Sequence, residues 1–449
     1  MSARHHRRML PEAPARRNWC PGLARPMPTG DGLLARVHPP LGILTLDQAR
    51  AVAEGARRFG NGHLDLTARA NIQIRGVTEA TRAPLADLLG DVGLGDVRAD
   101  GGPQRLTLTS PLAGRDPDEL VDVPRLARAI EAAGLDIPGL PAKTLVVVTG
   151  RRDTALPEAD CSVIARGPAI VAIAIESGQG LRDIATCGEG EAPGLIGALL
   201  AAFARTGRRR MRDLSDDERT ALAETLDVKV LAQDPARCRE TEPGGISRSR
   251  VPFAPTPGRH EGNASQILVI DAPFGRCTAD AFDRIVVAAV AIGASEIRLS
   301  PARGFVLSAA ADVPAPSVLE GLADAFITAP DDPRNRIDAC TGAPGCASGS
   351  TPTLADAGRL AGALDRDVSA HVSGCAKGCA RPGPAELTLV GRDGFYGIII
   401  GGAPGDEPAW DLPIEAVLER LGRAKTVGLA AAFAPDTAAT EFGRTRRPA

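Results

Sequence analysis

Alternating and helical patterns of apolar residues predict a compact mixed unit near the start of the chain. Residues 32–37 form a short apolar run of the kind found in buried strands. A segment with helical apolar spacing follows, ending at Gly60, and Thr45 and Gln48 precede it in the order of a capping box. Two alternating segments within 63–76 predict paired strands. The pattern therefore predicts a strand–helix–strand–strand unit.

The same pattern recurs in the second half of the chain. Residues 266–308 repeat the opening unit at an offset of 233 positions, so that Thr45 corresponds to Thr278. Beyond the matching cores we expect a one-residue insertion, which pairs Arg69 with Arg303. A duplicated unit of this kind predicts two halves packed around a pseudo-twofold axis. The cleft between such halves is a favourable place for a ligand.

Buried-strand runs alternate with helical segments between the two repeats, which indicates an α/β region. A stretch rich in Pro, Gly, Arg and Ser separates this region from the second repeat and predicts a linker. The expected organisation is a flexible arm at 1–17, a first half at 18–96, an α/β domain without cluster ligands at 97–234, a linker at 235–262, a second half at 263–329 and a cysteine-bearing domain at 330–449.

Composition excludes several classes of protein. The 52 basic and 55 acidic residues leave a net charge of −3, and only ten Phe, two Trp and one Tyr are present. The chain therefore offers neither the positive field nor the stacking surface of a nucleic-acid binder. No apolar stretch reaches about 18 residues, and the basic N-terminus lacks the apolar core of a secretory signal. We expect a cytoplasmic protein without a membrane span.

Four of the nine cysteines fall in a paired spacing near the C-terminus. Cys340 and Cys346 are separated by five residues, and Cys375 and Cys379 by three. Four thiolates suit an iron–sulfur cluster or a zinc ion, and Cys375 and Cys379 would share one face if their turn is helical. The surrounding Gly, Ala and Ser residues favour a cluster, since small residues let backbone amides approach inorganic sulfide. Zinc and unligated thiols remain alternatives.

These cysteines, the duplicated unit and one strand motif together resemble the sulfite/nitrite reductase superfamily. The motif T-x-R-x-x-x-Q is present as Thr67, Arg69 and Gln73. The resemblance extends from about residue 18 to 425. Within the superfamily the chain is most similar to the precorrin-3B synthase family, on the opening at 20–42, the phrase at 60–76 and the SPLAG turn at 110–114.

The resemblance implies an α+β fold, with duplicated ferredoxin-like halves around a pseudo-twofold axis plus α/β domains of the sulfite/nitrite reductase type. It implies a [4Fe–4S] cluster and a mononuclear non-haem iron, whose ligands the sequence does not identify. Sirohaem is the alternative cofactor, and in sirohaem-bearing relatives the cysteine corresponding to Cys379 also bridges to the sirohaem iron. The cluster ligands implied are Cys340, Cys346, Cys375 and Cys379.

The narrower family implies an oxygen-dependent monooxygenase of cobalamin biosynthesis. Such an enzyme converts precorrin-3A to precorrin-3B by hydroxylation at C20 and formation of a γ-lactone, with O2 as co-substrate and NADH as ultimate donor. No G-x-G-x-x-G follows a predicted strand, so we expect a separate NADH-linked electron donor protein. The alternatives are a sirohaem-dependent sulfite or nitrite reductase and, without catalysis, an iron–sulfur carrier or zinc-stabilised protein.

Three basic positions of the reductase anion site can be followed in the sequence. By resemblance they are Arg69, Arg105 and Lys143, while Leu145 replaces a second lysine and Leu106 replaces an asparagine. These replacements disfavour the reduction of a small anion, which needs cations that deliver protons. Arginine binds carboxylates in a bidentate manner, so nearby basic residues suit a polycarboxylate macrocycle. The expected substrate-binding or tetrapyrrole-binding residues are Arg69, Arg105, Lys143, Gln73 and Arg75.

Overall fold

A computed structural model describes residues 19–152, 157–177, 180–226, 266–310 and 313–434. The arm expected at 1–17 and the linker expected at 235–262 lie outside these residues. Strands and helices alternate in four consecutive units, each with its own sheet. None of the helices in the described part is long and apolar enough to cross a membrane.

The first unit contains the predicted strand–helix–strand–strand pattern. Thr45 caps its longer helix, and the reciprocal bonds with Gln48 confirm the capping box. The helix buries an alanine-rich stripe and leaves its arginines outside. The elements of this unit are β1 (Met27–Thr29), β2 (Gly32–Val37), β3 (Ile43–Thr45), α1 (Leu46–Phe59), β4 (His63–Leu66), β5 (Ile72–Val77) and α2 (Arg82–Asp91).

The second unit is an α/β layer with a separate core. Its sheet combines three parallel strands with an antiparallel edge, in the order β10-β9-β8-β7-β6, and its helices cover the buried face. The elements are β6 (Thr107–Thr109), α3 (Val123–Gly134), β7 (Val146–Thr149), β8 (Cys161–Gly167), β9 (Ile170–Ser177), β10 (Gly180–Gly188), α4 (Ala192–Arg205) and α5 (Asp216–Glu224).

The third unit repeats the backbone of the first. Both contain a short 3-10 turn with a non-glycine residue at positive φ, Leu41 at 54° and Phe274 at 57°. Both then enter a helix through a threonine cap, Thr45 and Thr278. The elements of the third unit are β11 (Gln266–Asp271), β12 (Arg276–Thr278), α6 (Ala279–Ala291), β13 (Glu296–Ser300), β14 (Gly304–Ala309) and α7 (Ala315–Glu320).

The first and third units exchange one strand each. Strand β12 joins the sheet of the first unit beside β4, and β3 joins the sheet of the third unit beside β13. Helices α1 and α6 pack together, and one apolar core continues through both units. The exchange makes the two units a single folded body related by a pseudo-twofold axis, as the repeat predicts.

The expected one-residue insertion in the repeat is wrong. Val37 pairs with Ile72 in the first half, and Ile270 pairs with Phe305 in the second, so the offset of 233 continues through the last strand. The residues at positive φ in the equivalent turns are Ala70 and Arg303. Arg303 therefore corresponds to Ala70 rather than to Arg69, because backbone geometry and not side-chain identity defines the equivalence.

The fourth unit carries the paired cysteines. Strands β15, β16 and β17 are parallel neighbours, and β18 and β19 extend the sheet antiparallel. The elements are β15 (Ile337–Ala339), α8 (Thr353–Ala363), β16 (Ala370–Ser373), β17 (Ala385–Arg392), β18 (Phe395–Gly402), β19 (Asp411–Leu412), α9 (Ile414–Val427) and α10 (Leu429–Ala432).

Candidate functional site

Two loops at one edge of the fourth sheet bring cysteines towards each other. Cys340 directly follows β15, and Cys375 lies two residues beyond the end of β16. Because β15 and β16 are parallel neighbours, their carboxyl ends meet at the same edge. The Cys346 amide donates to the Gly342 carbonyl at 2.7 Å, which closes the loop after Cys340. We call Cys340, Cys346, Cys375 and Cys379 the cysteine site.

The four thiols of the cysteine site interact electrostatically. Burial raises the pKa of Cys379, and the neighbouring Cys340, Cys375 and Cys346 raise it further. Cys379 is exposed as a residue, whereas the other three cysteines are half-buried. The four thiols are therefore close enough to affect one another electrostatically, and Cys379 is the most exposed of them.

Close backbone packing explains the small residues around the thiols. The Gly374 amide donates to the Cys340 sulfur at 3.1 Å. A Cβ at Gly374 would lie 3.1 Å from the Gly342 Cα, 3.2 Å from the Gly349 Cα and 3.6 Å from the Cys340 sulfur. Any side chain at Gly374 would therefore push apart the backbone segments at Gly342, Gly349 and Gly374. The amide–sulfur bond is the kind that tunes an iron–sulfur cluster.

The segment from Cys375 to Cys379 is a turn and not a helix. The condition for placing these two sulfurs on one helical face is therefore not met. Gly378 interrupts the segment with φ of +60°. The turn still keeps Cys379 near enough to the other thiols for them to raise its pKa.

The donor chemistry of the cysteine site fits a cubane cluster. Among the described residues, no three His, Cys, Asp or Glu side chains are gathered closely enough to hold a metal ion. A zinc ion would draw all four sulfurs to about 2.3 Å from one centre. A [4Fe–4S] core uses a wider set, because each thiolate binds a different iron. Four electrostatically coupled thiols on two neighbouring loops, with an amide donor on one sulfur, are consistent with that wider set.

Arg75 does not face an open ligand position. Only 4% of its side chain is exposed. Its Nε and Nη2 donate to Asp31 at 2.9 and 2.6 Å, and its Nη1 donates to Asp65 at 3.1 Å. Nη2 also donates to the Gly345 carbonyl, next to Cys346. The structure places this predicted substrate-binding residue against the cysteine loop instead.

Arg105 is similarly committed to the backbone. Its buried guanidinium donates to the carbonyls of Pro39 at 2.7 Å, Ala70 at 3.2 Å and Arg69. Burial lowers the pKa of Arg105 to about 10, and neighbouring Arg69 lowers it further. Arg105 thus fixes the turn that presents Arg69, which is a positioning role.

Arg69 lies in the turn between β4 and β5. Its Nη2 donates to the Lys143 carbonyl at 2.9 Å, while the Lys143 residue is exposed. Burial and then Arg210 lower the pKa of Arg69 to about 10. Arg210 is paired with Asp160 at 2.9 Å. Asp160 offsets part of this repulsion, and an anionic ligand would relieve the rest by stabilising the charged form of Arg69.

Gln73 joins a polar chain that the sequence reasoning did not identify as a group. In the amide orientation that satisfies both partners, its oxygen accepts from Arg36 at 2.6 and 3.0 Å. Arg36 Nη1 also lies 3.6 Å from the sulfur of Cys20, and that sulfur lies 3.8 Å from His38 Nε2. The sequence signal for this group is that Arg36 and His38 are two residues apart at the end of β2.

His38 is neutral near physiological pH. Burial holds its pKa well below the ordinary value, and Arg36, Arg105 and Arg69 lower it further. We call Arg36, Arg69 and Arg105, which surround the neutral His38, the cationic group. Arg36 and Gln73 are cross-strand partners, so Arg36 lies on the same sheet face as Gln73 and Arg75, and Arg75 bonds the cysteine loop.

A small cavity where the first three units meet is lined by Leu41, Ile43, Thr109 and Arg298, among other residues. None of the predicted binding residues lines it. The cleft expected between the two halves stays a prediction. The described geometry instead places Arg36, Gln73 and Arg75 on one face of the first sheet, where Arg75 contacts the loop of Cys340 and Cys346.

Comparisons with known proteins agree with this architecture. Residues 25–92 match the family described as the nitrite/sulfite reductase ferredoxin-like half domain. The structure of the NirA protein of Mycobacterium tuberculosis superposes with a TM-score of 0.66 at 19% identity, covering 88% of this chain and 80% of that one. The predicted fold class is confirmed: duplicated ferredoxin-like halves with α/β domains of the nitrite/sulfite reductase type.

Relatives that match along most of this chain define its class of protein more closely. The chain is 26% identical to a ferredoxin–nitrite reductase of Synechococcus elongatus, over 84% of this chain and 79% of the relative. It is 34% identical to a precorrin-3B synthase of Sinorhizobium, over 97% of this chain and 94% of the relative. The protein is thus of the nitrite/sulfite reductase type, a class of oxidoreductase-type enzymes. Within that class, the chain belongs to the precorrin-3B synthase family.

Proposed function

We propose that the protein catalyses the oxygen-dependent conversion of precorrin-3A to precorrin-3B. The observation that carries this proposal is the 34% identity to a precorrin-3B synthase along nearly the whole of both chains. One oxygen atom of O2 enters the product at C20, and the other leaves as water with two electrons and two protons. The ring-A acetate then closes the lactone onto C1.

The residues that would hold a [4Fe–4S] cluster are those of the cysteine site. Such a cluster would supply electrons one at a time. The Gly374 amide would stabilise the charge on the Cys340 thiolate through its 3.1 Å bond. Cys379, the exposed member, lies where an external donor protein could approach.

The substrate side of the proposal rests on charge. Precorrins carry several acetates and propionates, and arginine pairs with carboxylates in a bidentate manner. Arg36 and Arg69 are the members of the cationic group whose donors are not all committed to backbone carbonyls. We assign them and exposed Lys143 to substrate carboxylates, with Gln73 holding Arg36 in place. Arg105 holds Arg69 in position by donating to the Arg69 carbonyl.

Buried leucines favour this reaction over reduction of a small anion. Leu145, at the position of the second lysine, is 3% exposed and packs in the core of the two halves. Leu106 is fully buried in the core of the second unit. Neither position can deliver a proton to bound sulfite or nitrite.

The decisive experiment uses protein purified without oxygen. We expect about four cluster irons with matching sulfide, and conversion of precorrin-3A that requires O2 and incorporates label from 18O2. Product formed without O2 would refute the proposal. A Soret band with nitrite or sulfite turnover would favour the sirohaem reductase that the nitrite reductase relatives suggest. One equivalent of zinc without iron or sulfide would exclude both enzymes.

A further inference from the structure

A buried set of alternating charges supports the loop that carries Cys340 and Cys346. It consists of Asp31, Asp65, Arg75 and Arg276, whose side chains are 16%, 14%, 4% and 19% exposed. We call these four residues the charge lattice. Three members belong to the first half, and Arg276 belongs to the second half on the exchanged strand β12.

Each carboxylate of the lattice is shared or bidentate. Asp31 receives two bonds from Arg75, at 2.9 and 2.6 Å. Asp65 accepts from Arg75 at 3.1 Å, and from Arg276 at 2.5 and 2.9 Å. Two positive and two negative side chains therefore balance one another. In this poorly solvated position, removal of one charge leaves its partners uncompensated.

Both arginines of the lattice reach the cysteine loop. Arg75 donates to the Gly345 carbonyl, which also accepts from the Gly30 amide at 3.2 Å. Arg276 Nη2 lies 3.4 Å from the Thr341 hydroxyl oxygen, next to Cys340. A Cβ at Gly30 would lie 2.2 Å from the Pro344 carbonyl oxygen, so the loop packs directly against the first half.

We propose that the charge lattice positions the Cys340–Cys346 loop and sets the reduction potential of the metal centre held there. This inference rests on the proposed function, because it needs a cluster at the cysteine site. The lattice is electrically balanced, so its two signs act oppositely on the centre. Loss of a carboxylate leaves excess positive charge and favours the reduced centre, whereas loss of an arginine charge favours the oxidised centre.

Opposed charge variants test the electrostatic part. The reduction potential of the cluster is measured by redox titration of the anaerobic full-length protein, followed by its paramagnetic signal. We expect Asp65→Asn to raise the midpoint potential, and Arg75→Gln and Arg276→Gln to lower it. The nearby charge of Lys377, which bonds Ser348 at 3.3 Å, is unchanged throughout.

Matched controls come from an exposed ion pair between α1 and α6. Arg57 pairs there with Asp283, away from the cysteine loop. Arg57→Gln and Asp283→Asn should leave the potential unchanged. Arg75→Lys separates charge from geometry: it should keep the potential near the wild-type value, yet release iron to a chelator several-fold faster, because lysine cannot make the bidentate contact.

Three outcomes are informative. Opposite shifts in the lattice variants and none in the controls support the inference. Equal shifts, or shifts no larger than those of the Arg57 and Asp283 controls, overturn it while leaving the proposed function intact. Wild-type protein without iron and sulfide overturns the proposed function and the inference together.

Discussion

The two ferredoxin-like halves have the same backbone and very different side chains on one sheet face. At the offset of 233, six polar residues in or near this face of the first half correspond to residues of different chemical character in the second half. The corresponding pairs are Arg36 and Val269, His38 and Asp271, Asp65 and Arg298, Arg69 and Ala302, Gln73 and Val306, and Arg75 and Ser308.

This difference between the halves distinguishes residues that the fold requires from residues that the functional site requires. Val306 is buried in the second half, where the equivalent Gln73 binds Arg36 in the first. At the positions equivalent to 36 and 73 the second half therefore folds with valines, whereas the first half keeps a half-buried guanidinium bonded to Gln73. Maintaining such charge costs free energy, which indicates that the polar face of the first half is present for function.

The largest expected effect comes from giving the first half the residues of the second. Arg36→Val and Arg69→Ala should each weaken precorrin-3A binding by about 10- to 100-fold, because a hydrogen bond to a charged group contributes about 1.5–3 kcal/mol. The dissociation constant and KM would be measured alongside the midpoint of thermal unfolding. The unfolding midpoint should change little, since the second half folds with valine and alanine there.

A matched control is available on α1. Arg57 corresponds to Val290 in the second half, and Arg57→Val replaces an arginine outside the polar face. It should leave precorrin-3A binding unchanged. Comparable weakening in Arg57→Val and Arg36→Val would show that general charge, and not the polar face, attracts the substrate.

Backbone strain should affect the two halves alike. Gly42 and Gly275 have φ of +72° and +80° in the equivalent turns. Alanine at either position should cost roughly 1–2 kcal/mol of unfolding free energy, as expected for an L-residue in the left-handed region. Gly275→Ala should cost more, because its Cβ would lie 2.6 Å from the Arg303 Cδ, compared with 3.2 Å from the Ala70 Cβ for Gly42→Ala.

Gly62→Ala provides the control for these glycine variants. Gly62 has φ of +79°, and a Cβ there would meet no atom within 4 Å. Chemical denaturation should therefore show the conformational cost alone. If Gly62→Ala were the most damaging of the three, the close approach to Arg303 would have no energetic weight.

Local signals in the sequence were sufficient for much of the scaffold but not for the polar face. The capping box of Thr45 and Gln48 lies within four residues, and it was confirmed. By contrast, Arg69 and Arg303 were matched as identical residues, although the positive φ at Ala70 shows the true equivalence. Nothing in the sequence near Arg75 indicates that its guanidinium bonds a carbonyl 270 positions away.

The cysteine site shows the same limit of sequence-based prediction. The spacing within each pair of cysteines is local, so the sequence alone reveals it. The approach of the two pairs depends on β15 and β16 being parallel neighbours, which the sequence does not reveal. The proximity of Cys20 and His38 has no spacing signal, because irregular segments before β1 and after β2 bring them together. The periodicity of apolar residues along the chain carries no information about tertiary contacts of this kind.

A pH series distinguishes His38 from its counterpart Asp271. The folded pKa of His38 lies well below the ordinary 6.5. The unfolded state therefore binds more protons as the pH falls through about 6.5, and the unfolding free energy should decrease from that point towards lower pH. His38→Gln should flatten this slope. A residual slope is expected from His63, whose pKa burial also lowers.

Denaturant titrations between pH 7.5 and 5 would measure the slope directly. An unchanged slope in His38→Gln would mean that the imidazole is not held neutral in the folded state. An Arg36→Gln variant sharpens the result, because loss of one neighbouring positive charge should raise the folded pKa of His38 and reduce the slope in part.

The smallest contrast lies at the helix caps. Thr45 and Gln48 bond each other reciprocally, whereas Thr278 accepts from Ala281, which has no side chain to return the bond. Gln48→Ala should lower the unfolding free energy by about 0.5–1.5 kcal/mol, since it also removes the bond from Gln48 Nε2 to the Val92 carbonyl. Ala281→Gln should raise the unfolding free energy by a few tenths of a kcal/mol, because it completes the second capping box.

Chemical denaturation of both variants and the double exchange would measure these changes. A gain from Ala281→Gln that equals the loss from Gln48→Ala would mean that the Val92 bond contributes nothing, and that the two caps differ only in the returned bond.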